Sequence, residues 1–132
     1  MAVVKVAELP ASVPYGCKIA PVAQGFETAG AGDELVARLD GDGCCNRYAR
    51  IAWEPVAALL VEAIQTVGED FAELRDWIQI QNAPEQVRTE ATRLIYEGMN
   101  WAPGTNSVSD GEHRLCAMRA QGVIEVGVFL CE

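Results

Sequence analysis

Five consecutive residues, Asp110-Gly111-Glu112-His113-Arg114, set two acids, a glycine, an imidazole and a guanidinium where a short strand gives way to a helix. The order strand, glycine-containing turn, helix, strand is itself a candidate ligand site. The first N–H groups of a helix have no partner inside it, and the helix dipole adds partial positive charge at the same end. The ligand favoured by such a turn is an anion. Ser109-Asp110-Gly111-Glu112 also fits a capping box, with serine at the N-cap and glutamate three residues later. That reading accounts for Ser109 and Glu112 without any ligand, but not for the glycine or for His113-Arg114. His113 and Cys116 lie three apart and share a helix face, the spacing a thiolate–imidazolium pair needs. Cys116 sits among Leu115, Ala117 and Met118, however, and inert packing is the reading those neighbours favour. Asp40-x-Asp42 invites a calcium loop and fails it: glycine falls at the fourth position rather than the sixth, and Ile51 stands where the bidentate glutamate belongs.

The chain around these residues has 132 positions, the usual size of one domain. Half of it is hydrophobic and 22% is charged, a globular composition. Ten basic against nineteen acidic side chains leave a formal charge of −9. Nucleic acid and anionic membranes require clustered Lys and Arg, so neither DNA nor a membrane surface is expected as a partner. A small anion held by a few focused donors is compatible with that charge. The cysteines, Cys17, Cys44, Cys45, Cys116 and Cys131, are odd in number, and two of them are adjacent, which suits no disulfide framework. There is no Cys-x-x-Cys, and His113 is the single histidine, so a structural zinc site lacks ligands. Met1-Ala2-Val3-Val4-Lys5 does not open like a signal peptide, and the longest apolar run, Val56 to Val61, is too short to span a bilayer. These features read as a cytoplasmic protein with reduced thiols.

The elements that must position the motif are legible in outline. Val3-Val4-Lys5-Val6 reads as extended, and residues 24–34 as a Gly/Ala-rich loop. A hairpin is expected next: Glu34 to Leu39, a turn at Asp40-Gly41-Asp42-Gly43, and a return over Arg47 to Trp53, where the residues alternate in character. Three helices follow. The first starts at Glu54-Pro55 and places Val56, Leu59, Leu60, Ala63, Ile64 and Val67 at helical spacing before Gly68. The second carries Phe71, Leu74, Trp77 and Ile78. The third opens at the cap-like Asn82-Ala83-Pro84-Glu85, continues through Val87, Ala91, Leu94, Ile95 and Met99, and ends near Gly98. Glu69 to Asp76 reads as a solvated helix face. Arg88 and Arg93 stand at helix-pair spacings to Glu90 and Glu97, and the aromatics Trp53, Phe71, Trp77 and Tyr96 fall at core spacing. Asn100 to Asn106 reads as a loop and Ser107-Val108-Ser109 as a short strand. A helix over Glu112 to Gln121, stopped by Gly122, and a final strand over Ile124 to Leu130 complete the chain. The expected class is α+β: an N-terminal hairpin or small sheet, about three central helices and a C-terminal strand–helix–strand unit. A short terminal strand often finds a partner edge, which makes a homodimer one expected state.

Val108 to Gly122 resembles the motif of the ParB/sulfiredoxin superfamily: a strand, Asp-Gly-x-His-Arg or Gly-Glu-Arg-Arg, a helix with alanine and a closing glycine, and a further strand matched by Val123 to Leu130. Tyr96-Glu97-Gly98 at a helix end and the later Pro103 resemble the approach to that motif. The likeness covers Ser107 to Leu130; the first eighty or so residues do not share it. It implies a nucleotide or phosphate site in which Asp110, Gly111 and Arg114 bind the ligand, glycine by close backbone approach and arginine by its planar fork. It further implies that Glu112 helps hold Mg²⁺, and that His113 donates to an oxyanion or moves a proton, so Glu112 and His113 are the catalytic candidates. Where sulfiredoxins carry a catalytic cysteine this chain has Glu112, so sulfinic-acid reduction is not expected. The second phosphate box and helix-turn-helix of ParB proteins are missing from this sequence. The expectation is a ParB-like domain binding a nucleotide or phosphorylated ligand at the 109–114 turn, with Mg²⁺-assisted phosphoester hydrolysis as a further step. The alternative is a non-enzymatic interaction or oligomeric accessory protein that keeps the motif only as a helix start.

Overall fold

The computed structural model of the chain describes residues 1–10, 44–105, 108–109 and 111–131. The expected loop at 24–34, the first hairpin arm with its turn, and Asp110 lie outside them. Strand β1 (Ala2–Lys5) leads into a 3-10 turn (Val6–Glu8). Helices α1 (Cys44–Ala49), α2 (Trp53–Val67), α3 (Phe71–Gln79) and α4 (Glu85–Tyr96) follow. The chain then forms β2 (Asn100–Trp101), β3 (Val108–Ser109), α5 (Glu112–Ala120) and β4 (Glu125–Leu130). The class is α+β, as the pattern predicts. No helix among the described residues is long and apolar enough to cross a membrane.

The sheet runs in the order β1-β4-β2-β3. β4 pairs antiparallel with β1, Val4 opposite Val126, and parallel with β2, Asn100 opposite Phe129. The last strand is therefore interior, paired on both sides. The edge expected of it falls instead to β1 and β3, the outer strands of the described sheet. Val126 and Val128 are fully buried, and Gly127 between them lies under α2. A Cβ at Gly127 would stand 2.7 Å from Ile64 Cδ1 and 3.0 Å from Leu60 Cδ2, so the missing side chain is what lets α2 lie flat on the sheet.

The return arm of the expected hairpin is a correction. Residues 44–49 are helical, and Trp53 starts α2. The alternation was real: Ala49, Ile51 and Trp53 are buried while Arg50 and Ala52 are not. A helix end, a bend and a new helix produce that alternation without a ladder. The Tyr48 carbonyl accepts from Ile51 N at 3.2 Å and from Trp53 Nε1 at 2.8 Å, so the corner meets its hydrogen bonds locally. Asn100–Trp101, read as loop, is a two-residue strand, too short for any periodicity to reveal.

The helix starts also depart from expectation. The cap-like Asn82 does not cap α4; its N-cap is Pro84, with no side-chain bond. Asp70, read only as part of a solvated face, caps α3 by accepting from Glu73 N at 3.0 Å. α2 has Ala52 at its N-cap and is capped from a distance. Gln121 Oε1 accepts from Trp53 N at 2.8 Å while Gln121 Nε2 donates to Ile51 O at 2.7 Å, so one amide serves both sides of the corner. Gln121→Ala leaves both groups without their side-chain partner and is expected to cost about 1–2 kcal/mol. The lowered midpoint of a urea titration at unchanged slope would show it. Arg119 ties the N-terminal turn to α5, donating to Leu9 O at 2.7 Å, and its partial burial lowers its pKa from the ordinary arginine value.

Candidate functional site

A cleft of about 550 Å³ opens where α5 begins. Its lining includes Tyr48 of α1, Tyr96 at the end of α4, the Glu97-Gly98 turn, Asn100 of β2, Gly111 and Arg114 at the start of α5, and Phe129 of β4. The volume lies within the range of about 300–1,000 Å³ common to small-molecule sites.

Of the residues singled out from sequence, Gly111 and Arg114 line this cleft. Glu112 and His113 stand beside it in the first turn of α5 rather than on its wall, and Asp110 is not among the described residues. Gly111 is the N-cap, left-handed at φ 68°, and a Cβ there would stand 2.7 Å from Met99 Cγ. The fold thus requires glycine twice over, for its backbone angle and for its closeness to buried Met99. The serine capping box is corrected by this geometry, because the N-cap is Gly111 and supplies no side-chain acceptor.

Arg114 is 7% exposed. Its Nη1 donates to Glu97 O at 3.1 Å and its Nη2 to Glu97 Oε2 at 3.2 Å, bridging α5 to the α4–β2 turn. Glu97 therefore pairs across the fold, while Arg93 takes Glu90 at 2.8 Å. Arg88 donates to the carbonyls of Gln81 and Ala83 ahead of α4. Three buried side-chain atoms among the described residues have no hydrogen-bond partner: Glu90 Oε2, Trp101 Nε1 and Arg114 Nε. Only the last belongs to a residue of the cleft.

Tyr48 gathers positive and aromatic groups. The Arg114 guanidinium carbon lies 5.4 Å from its ring centre and that of Arg47 5.6 Å. The His113 ring stacks on it at 6.0 Å and 8°. The guanidinium groups of Arg47 and Arg114 and the His113 ring thus gather around the Tyr48 ring. A second aromatic group meets at two further lining residues, Tyr96 and Phe129. Phe71 meets Phe129 at 5.3 Å and Tyr96 edge-on at 6.1 Å. Phe71 and Tyr96, expected in the core, are 41% and 52% exposed, because one begins α3 and the other ends α4. Sequence reasoning missed Tyr48, Glu97, Asn100 and Phe129 as cleft residues. The signal available was the single aromatic residue, Phe129, in the last strand.

Among the described residues no group of three or more His, Cys, Asp or Glu side chains gathers where a metal ion could sit. Compared with protein-family models, with curated proteins and with solved structures, the chain matches none.

Proposed function

We propose that the cleft binds a nucleotide or another phosphorylated small molecule, its phosphate toward Arg114 and the start of α5, its planar part toward Tyr48, Tyr96 and Phe129. One observation carries this reading: a buried arginine on the cleft wall with an N–H that no acceptor meets. A buried donor left unpaired costs about 1–3 kcal/mol, so such a group is rare unless something else fills its place. The likeness of residues 107–130 to the ParB/sulfiredoxin motif supports the same assignment for Gly111 and Arg114. The hydrolytic step that the same likeness implies would fall to Glu112 and His113, in the first turn of α5 beside the cleft. Any Mg²⁺ would enter on the phosphates of the ligand.

A melting screen against nucleotides and simple phosphates, with and without Mg²⁺, tests the proposal. A ligand at a hundred times its Kd adds about 2.7 kcal/mol, a rise of several degrees. Arg114→Lys keeps the charge but loses the fork and is expected to remove most of that rise. A flat screen, or a rise that Arg114→Lys leaves intact, overturns the assignment.

A further inference from the structure

The occupancy of the Arg114 fork goes one step beyond a phosphate site. Nε–H and one N–H of Nη2 point the same way and form the two-pronged edge that a carboxylate or phosphate engages with two oxygens. Glu97 places a single carboxylate oxygen, Oε2, on Nη2 at 3.2 Å, and Nε, the other nitrogen of that edge, has no partner. The pair is lopsided in burial too: the Arg114 side chain is 9% exposed, that of Glu97 65%. Glu97 O holds Nη1 independently through the backbone, so the guanidinium stays anchored when the carboxylate leaves.

From this half-made contact we infer that Glu97 is a displaceable internal counter-ion: it occupies the anion site of the free protein and is expelled by the ligand's phosphate. The inference rests on the phosphate-binding reading of the cleft and adds its regulation. The arriving phosphate takes Nη2 from Glu97 and, once the carboxylate has moved aside, reaches the buried Nε beside it with a second oxygen. The exposed carboxylate turns to water at little cost, being mostly solvated already. The wild-type site is consequently self-inhibited, binding phosphate more weakly than its arginine alone would allow. The internal anion also keeps a buried guanidinium from standing uncompensated while the cleft is empty, which would be costly.

Titration calorimetry with AMP and with inorganic phosphate, on wild type, Glu97→Gln and Glu97→Asp, tests this. Glu97→Gln removes the competing charge and is expected to tighten AMP binding about tenfold, equal to 1.4 kcal/mol. Glu97→Asp, charged but too short to reach well, is expected to fall between and serves if the glutamine variant does not fold. Glu125→Gln, in a separate groove with Glu54 and Ile124, controls for net charge and is expected to leave the Kd unchanged. A second signature is a crossing of melting points, with Glu97→Gln below wild type without ligand and above it at saturation. If AMP binds wild type but neither Glu97 variant more tightly, the counter-ion role is overturned and the phosphate site stands. If neither AMP nor phosphate binds any of the proteins, the phosphate site itself falls, and this role with it.

Discussion

Replacing Trp53 by alanine is expected to cost the protein about 4 kcal/mol, near the upper range for truncating a buried aromatic. Trp53 is fully buried at the first position of α2, and its Nε1 donates to Tyr48 O at 2.8 Å. The loss has three parts: burial of the largest side chain in the core, the cavity left behind, and the shorter of the two hydrogen bonds to the Tyr48 carbonyl, which keeps only Ile51 N. Domains of this size hold about 5–15 kcal/mol in all, so the variant would be marginal at 37 °C. Trp53→Phe separates the parts, keeping most of the volume and losing the N–H, with an expected cost of about 1–2 kcal/mol. Because that bond fixes the residue forming one wall of the cleft, Trp53→Phe is also expected to weaken ligand binding more than its stability loss suggests. Chemical denaturation of both variants beside AMP titration checks this; equal losses in the two would refute the ordering.

The second large effect is expected at Gly98, although its backbone φ is not positive. A Cβ there would run into Leu94 O and stand 3.0 Å from Phe129 Cε2. The first neighbour is backbone at the last turn of α4 and cannot rotate away. Gly98→Ala must therefore push the end of α4 off the sheet, costing roughly 3 kcal/mol or more. The damage falls on the cleft as well, since Glu97 and Gly98 form its edge and Phe129 its rim. A fall in melting point of ten degrees or more is expected. A near-neutral alanine would mean that the α4–β2 turn is looser than its contacts indicate.

The three central helices were legible because each carries enough apolar residues at three- and four-residue steps to define a buried stripe. The α2 stripe from Val56 to Val67 is read directly; only its start, at Trp53 rather than Glu54, differs by one residue. The corner before it was misread because alternating burial is a property of side chains and does not name a backbone. The glycine and arginine of the motif both line the cleft, but what fixes them there lies outside the motif. Gly111 is fixed by Met99, and Arg114 by Glu97, seventeen positions back across a turn and two strands. No local spacing predicts such a pair; helix arithmetic assigned Glu97 to Arg93 instead. The cleft itself draws on α1, α4, β2, α5 and β4, so it exists only once the sheet has closed.

The interior position of β4 has a consequence for how the protein comes into being. Every other described element is translated before it, yet among the described strands β1 pairs only with β4, and β2 has until then only the two-residue pairing with β3. Helices α2 to α4 pack largely among themselves over short chain separations and are available for early assembly. The joining of Val4 to Val126, by contrast, closes nearly the whole length of the polypeptide. The nascent chain must therefore leave the ribosome as a helical core with its sheet still open, exposing α2 where Gly127 will later lie. That interval is when chaperones have the most to hold, and a chain stalled before β4 would keep the described sheet open.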